Sequence, residues 1–146
     1  MNLSEYVAPE KIENVMIQSL LVAQAFVYGD SLQSALVAVV VPDEEPVRSL
    51  LASSEDSHLA KAPFADICKS EKLKKIIKED IQRFAKQNGL HGFEIPKALH
   101  LDNKLFTVEN GLLTPTFKLK RQQAKELYEV EIERMYAAMP PPKSKL

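Results

Sequence analysis

Cysteine is nearly absent from this 146-residue chain: Cys68 stands alone, which excludes an internal disulfide and suits a reducing compartment. It lies in FADICKS, a stretch of helical character, where a quiet buried thiol is expected rather than a nucleophile. Glycine is scarce as well. The four glycines, at positions 29, 89, 92 and 111, form neither GxxxxGK nor GxGxxG, so no glycine-rich phosphate loop is present. His58, His91 and His100 lack the spacing of metal ligands and no Cys/His cluster joins them, so no metal site is expected and all three are read as surface residues. No Ser/His/Asp set assembles either. No apolar run approaches the roughly 20 residues that span a bilayer, and MNLSEY has neither the basic start nor the apolar stretch of a signal peptide. With a formal net charge of −1, the chain offers no global electrostatic case for binding nucleic acid or a membrane surface.

What remains is an ordinary globular composition, 45% hydrophobic and 27% charged, in a chain long enough to bury a modest core of its own. APEKIENVMIQ (8–18) reads as a helix, with Pro9 suited to the first helical position and Glu10 and Glu13 to its positive end. Ile12, Val15, Met16 and Leu20 would share its buried face. Two β-rich runs, about 21–28 and 32–41, flank Gly29-Asp30 and predict an antiparallel hairpin. The second run is apolar almost throughout, as a central strand should be, and Pro42 ends it. EEPVRSLLA suggests a short helix, and 52–63 has loop composition.

SEKLKKIIKEDIQRFAKQNG carries the strongest helical pattern. Leu73, Ile76, Ile77, Ile81, Phe84 and Ala85 form its apolar stripe, Ser70 suits the cap and Gly89 the end. Its opposite face holds Lys69, Lys72, Lys74, Lys75, Lys78, Arg83 and Lys86 against Glu71, Glu79 and Asp80, and reads first as a solvated surface. A short strand is expected near 97–101. A last helix, 120–138, would bury Ala124, Leu127, Tyr128, Ile132, Met135 and Tyr136. The order implies an α+β domain: helices packed against a small three-stranded sheet that contains an antiparallel hairpin.

ENGLLTPTFKLKR (109–121) fits none of these elements. Pro115 forbids a regular central strand and discourages a helix. Gly111 after Asn110 permits a tight turn, and Thr114 and Thr116 can bond either the turn backbone or a ligand phosphate. Lys118, Lys120 and Arg121 follow directly. Lysine brings a compact, movable charge suited to carboxylate or phosphate oxygens. Taken alone, KxKR is a weak signal and a basic loop before a helix accounts for it.

Two stretches together say more. EYVAPEKIEN (5–14) and NGLLTPTFKLKR (110–121) resemble the two signature segments of the C-terminal domain of long-chain acyl-CoA synthetases, members of the adenylate-forming superfamily, and YGDSLQSALVAVVVPD (28–43) resembles that family's hairpin. The resemblance implies a two-step ligase using ATP, CoA and magnesium. A fatty acid carboxylate attacks the α-phosphate of ATP to give acyl-adenylate and pyrophosphate, and the CoA thiol then attacks the adenylate carbonyl. It further implies that 1–139 is a lid domain, the partner of an N-terminal adenylation domain that holds the fatty acid tunnel and most of the ATP site. The lid would supply a lysine for adenylation and then rotate for thioester formation. Thr114, Pro115 and Thr116 match the family's long-chain pattern. Lys118 aligns with the superfamily lysine, with Lys120 as the alternate, and Phe117 stands where a glycine usually precedes that lysine. Glu5 and Tyr6 align with a loop facing CoA, although the family writes Gln-Gly-Glu-Tyr where this chain has Leu3-Ser4-Glu5-Tyr6. The superfamily's Asp-Arg-x-Lys hinge is expected just upstream, and without the N-terminal adenylation domain this piece should be inactive in isolation.

Residues 140–146 read as an exposed tail ending in Ser144-Lys145-Leu146, the tripeptide recognised by the peroxisomal import receptor at a free C-terminus. A peroxisomal ligase is therefore expected. Two other readings stand beside it: a non-catalytic interaction or regulatory module using the basic helix 69–88, and an adenylate-forming enzyme for aryl or medium-chain acids.

Overall fold

The structure, a computed structural model, describes residues 8–30 and 35–139. Its centre is a three-stranded sheet. Strand β1 (Val22–Gly29) pairs antiparallel with β2 (Leu36–Pro42), from Val22 opposite Pro42 to Gly29 opposite Leu36, with one irregularity between Val22 and Gln24. Strand β3 (Ala98–Leu101) lies parallel to β2, so the order is β1-β2-β3. All seven residues of β2 are buried. Leu36, Ala38 and Val40 enter one core, while Val37, Val39 and Val41 enter another on the opposite face. That is why β2 reads as a continuous apolar run: both faces are covered, so no polar alternation survives. The strand is shorter than the expected 32–41, and 31–34 lie outside the described residues. At Gly29 the strands approach closely: a Cβ there would meet Leu36 Cδ2 at 2.6 Å, so that leucine would have to shift.

One face is covered by α1 (Pro9–Met16), α2 (Glu44–Ala52), α3 (Phe64–Ile67) and α4 (Glu71–Gln87). Pro9 opens α1, and Ile12, Val15 and Met16 are buried. Leu20 is not: it is 80% exposed, because α1 stops at Met16 and the helical face that would have carried Leu20 inward no longer exists. Helix α4 starts where Ser70 Oγ accepts from the Leu73 N–H at 3.2 Å. It ends in a Schellman turn, with Gly89 at φ 72° and Leu90 N–H donating to Ala85 O at 2.9 Å. Within its stripe Leu73, Ile77, Ile81 and Ala85 are buried, and Ile76 and Phe84 flank them half-buried. The loop at 52–63 contains a short 3₁₀ helix, Ser57–Lys61, fastened to α2 by Arg48 Nη1 donating to the Ala60 and Ala62 carbonyls at 2.8 Å each. Cys68 closes α3, buried, and burial with the nearby Asp102 and Glu44 charges pushes its thiol up to about 11. It is therefore protonated and unreactive at neutral pH.

The other face carries α5 (Arg121–Leu127) and α6 (Glu129–Ala138), where one helix over 120–138 was expected. The break is slight. Tyr128 N–H still donates to Ala124 O at 3.0 Å, and Ile132 N–H to Tyr128 O at 2.8 Å. Tyr128 itself (φ −100°, ψ 16°) leaves helical geometry while its hydroxyl donates to Asp102 at 2.7 Å. Ala124 and Tyr128 turn inward, and this leaves Leu127 58% exposed rather than buried. His100 also departs from expectation. It is half-buried on β3 beside the Tyr128 ring, 6.3 Å between centroids, and burial lowers its pKa, so it is neutral at pH 7. His58 and His91 lie at the surface as read. The whole is the α+β architecture expected, with a sheet packed by helices on both faces.

Candidate functional site

The segment between β3 and α5 is anchored first on β1. Gln24 Oε1 accepts from the Phe106 N–H at 2.7 Å and its Nε2 donates to Phe106 O at 3.0 Å, so a side-chain amide pairs the loop as a strand would. Asn110 then folds the next turn. Its Oδ1 accepts from the amides of Thr107 (3.0 Å) and Leu112 (3.2 Å), its Nδ2 donates to Leu105 O (2.9 Å), and Gly111 follows at φ 81°. Leu112 is delivered into the second core.

What the sequence left as an irregular loop is a miniature hairpin. Leu113 and Leu119 form an antiparallel bridge, with Lys120 N–H donating to Leu112 O and Thr114 N–H to Lys118 O, both 2.8 Å. Its tip is Pro115-Thr116-Phe117. Phe117 N–H donates to Thr114 O at 2.8 Å, closing a turn whose second position suits proline's fixed φ. Lys118 N–H donates to Thr114 Oγ1 at 3.0 Å, and the Thr114 and Thr116 hydroxyls share a bond of 3.1 Å. Pro115 thus sits where no ladder donor is needed. Three-residue hairpins of this type require a left-handed residue at their last loop position. Here that residue is Phe117, at φ 64°. Glycine is the usual occupant, and a side chain there costs about 1–2 kcal/mol.

Lys118 leaves this tip 69% exposed in its side chain, its Nζ 3.2 Å from Glu10 Oε1 on α1. Both groups are largely in water, so the pair holds the lysine only weakly. Arg121 is held far more firmly. Its Nη2 and Nη1 donate to Glu13 Oε1 and Oε2 at 2.6 and 2.9 Å, and Glu13 Oε2 also accepts the buried Val27 N–H of β1 at 2.7 Å. The bond to Glu13 raises the Arg121 pKa further. The segments around 10–13 and 118–121 therefore meet across the fold. Between them lies a cleft of about 500 Å³, lined by Glu10, Ile17 and Gln24 together with Phe117, Lys118 and Arg121. Lys120 does not line it; it caps α5, and among the described residues its ammonium has no ion pair. Glu5, Tyr6 and Ser144–Leu146 lie outside the described residues. Sequence reasoning placed Lys118, Thr114 and Thr116 together but missed the Glu13–Arg121 pair, whose members stand 108 positions apart. On the basic face of α4, three of the seven cations have ion-pair partners: Lys72 pairs with Asp56, Lys74 with Glu71 and Arg83 with Asp80, while Lys78 donates to the Lys97 carbonyl.

Residues 11–100 match the family model described as AMP-binding enzyme C-terminal domain. The chain belongs to that family. Among curated relatives of this AMP-binding C-terminal domain, human long-chain-fatty-acid–CoA ligase 6 is 47% identical over 133 residues, covering 91% of this chain but 18% of the ligase. Fatty acyl-CoA synthetase B of Dictyostelium discoideum is 42% identical over 135 residues, covering 92% of this chain and 20% of that protein. The domain therefore spans about a fifth of the length of the curated relatives it matches. Among solved structures, the adenylation domain of a carboxylate reductase from Mycobacterium chelonae superposes with a TM-score of 0.71 at 37% identity, over 88% of this chain and 17% of its own. A carboxylic acid reductase didomain from Segniliparus rugosus, in complex with AMP, gives 0.69 at 30%, over 89% and 16%. The match places this chain among the C-terminal domains of adenylate-forming enzymes, with long-chain fatty acid–CoA ligases as its close relatives.

Proposed function

We propose that this AMP-binding C-terminal domain is the lid of a long-chain fatty acid–CoA ligase and that Lys118 is its adenylation lysine. The observation that carries this is the hairpin: an exposed ammonium on a three-residue tip, its base locked to α1 and β1 through Arg121 and Glu13. Such a lysine is fixed at the root and only weakly held at the end, by Glu10. It fits a role of entering a second domain's active site to meet anionic oxygens.

In the first step a fatty acid carboxylate oxygen bonds to the α-phosphorus of ATP and pyrophosphate leaves. Negative charge grows on the oxygens in flight, and a cation positioned there lowers the transition state more than the ground state. Phosphoryl-type transfers rest mainly on positioning and charge, which is all Lys118 has to supply. In the second step the CoA sulfur bonds to the acyl carbon, AMP leaves, and the thiol proton passes to base. Rotation of the lid between steps would withdraw Lys118 and present the loop of Glu5 and Tyr6 to CoA. ATP and CoA are substrates held largely by the preceding domain. Magnesium would accompany ATP there. Lys120, outside the cleft, is the poorer candidate, and the family match lends the interaction-module reading no support.

The test uses the full-length protein. Lys118→Ala should reduce fatty-acid-dependent ATP–pyrophosphate exchange by at least 100-fold while acyl-adenylate supplied directly is still converted to thioester. Lys120→Ala should leave exchange within about threefold of wild type. Normal exchange in Lys118→Ala would remove the assignment. Carrying the series across acids of increasing length would decide between long-chain, medium-chain and aryl substrates. For location, we propose peroxisomal import through Ser144-Lys145-Leu146 where Leu146 ends the protein. Removing those three residues from a tagged full-length protein should turn punctate fluorescence diffuse, and unchanged puncta would count against it.

A further inference from the structure

Phe117 is an unexpected residue for its position. The backbone there is left-handed, φ 64°, a geometry that glycine adopts without penalty. The turn does not need the ring. Pro115, the Phe117 N–H bond to Thr114 O and the Thr114 hydroxyl already define it. Nor does the ring contribute to either core: it is 74% exposed, and no aromatic or cationic partner stacks on it among the described residues. Among the described residues, a strained backbone carrying an unburied aromatic finds no packing or stacking partner.

Two observations bear on where such a partner lies. Phe117 directly precedes Lys118 and lines the same cleft as Ile17, which is 47% exposed. Phe117 and Ile17 thus add apolar surface to the cleft whose ammonium is paired, among the described residues, only with the exposed Glu10. The domain is also about a fifth the length of its curated relatives, so in a protein of that size most of the chain lies beyond it. We propose that Phe117 is a positioning residue for adenylation: on closure its ring packs against an apolar surface of the preceding domain and sets the depth to which Lys118 enters. The left-handed geometry turns the chain sharply at the tip, so the ring and the ammonium leave from adjoining residues. Burying one fixes the other. This rests on the reading of Lys118 above.

The test is made in the full-length ligase with Phe117→Gly, Phe117→Tyr and Lys118→Ala. Glycine keeps the turn and removes the ring. Phe117→Gly should lower kcat for fatty-acid-dependent ATP–pyrophosphate exchange about tenfold or more, with KM for ATP and for fatty acid within twofold. Thioester formation from supplied acyl-adenylate should stay within twofold, and the melting temperature should not fall. Phe117→Tyr, which keeps the aromatic face, should restore exchange to near wild type. Exchange by Phe117→Gly within twofold of wild type would overturn the proposal, and so would an equal loss in the thioester step. If Lys118→Ala abolishes exchange while Phe117→Gly does not, only the role of Phe117 fails. If Lys118→Ala is itself normal, the functional reading fails first.

Discussion

At Glu13 one carboxylate serves donors from two other parts of the fold: the Val27 amide on β1 and both terminal nitrogens of Arg121 at the start of α5. Glu13 is 8% exposed, and its side chain is not free to find other partners. Truncation would strand the Val27 N–H inside the fold, while Arg121, 40% exposed in its side chain, could turn to water. Glu13→Ala should therefore cost about 2–3 kcal/mol, the range for lost bonds to a charged group, rather than the larger figure for a fully buried pair. Glu10→Ala removes a partner that is 64% exposed and should cost next to nothing. Urea denaturation of the two variants, read as a shift in midpoint at constant slope, compares them directly. Equal midpoints would show that the Glu13 contact does not hold the hairpin to the sheet. The sequence offered only a local reason for Glu13, an acid in the first turns of a helix. Its real partner stands 108 positions away, and no periodicity or spacing reaches that far.

Among elements, those with local punctuation were legible. Helix α4 announced its start in Ser70, its stripe in Leu73, Ile77 and Ile81, and its end in Gly89, and each does the physical work its residue type allows. Helix α1 was found through Pro9 but overrun at its end, because no glycine marks the stop at Met16. The last helix was read as continuous because its hydrogen-bond ladder nearly is. Only the bond from Tyr128 to Asp102, a tertiary contact, explains the break. The Lys118 hairpin was least legible. Glycine at the left-handed position of a three-residue loop is the usual sign of such a turn, and Phe117 replaces it. Without that glycine, Pro115 argued against strand pairing, although the pairing closes on either side of it, between Leu113 and Leu119.

On the scale of the whole molecule, β2 is shared property. Its even-numbered residues pack under α1–α4, and its odd-numbered ones pack under α5, α6 and the segment that carries Lys118. The two cores have separate side chains but a common backbone, so neither layer should unfold without withdrawing support from the other. Paired substitutions test this. Val40→Ala opens the first core and Val39→Ala the second, at positions 0% and 1% exposed. Each should cost about 2–3 kcal/mol for the methyl groups removed and the space left behind. Far-ultraviolet circular dichroism would follow the helices, most of which lie on the first face. Near-ultraviolet signals would follow Tyr128 and Tyr136 on the second. In both variants the two probes should trace a single transition, shifted to the same lower denaturant concentration. Were Val39→Ala to move only the tyrosine signal, the layer bearing the hairpin would be a separate unit. Lys118 would then ride on a part that loosens independently of the sheet, and the adenylation role proposed for it would lose its structural basis. A single transition for both variants means that the same strand that organises the fold also holds the base of the hairpin in place.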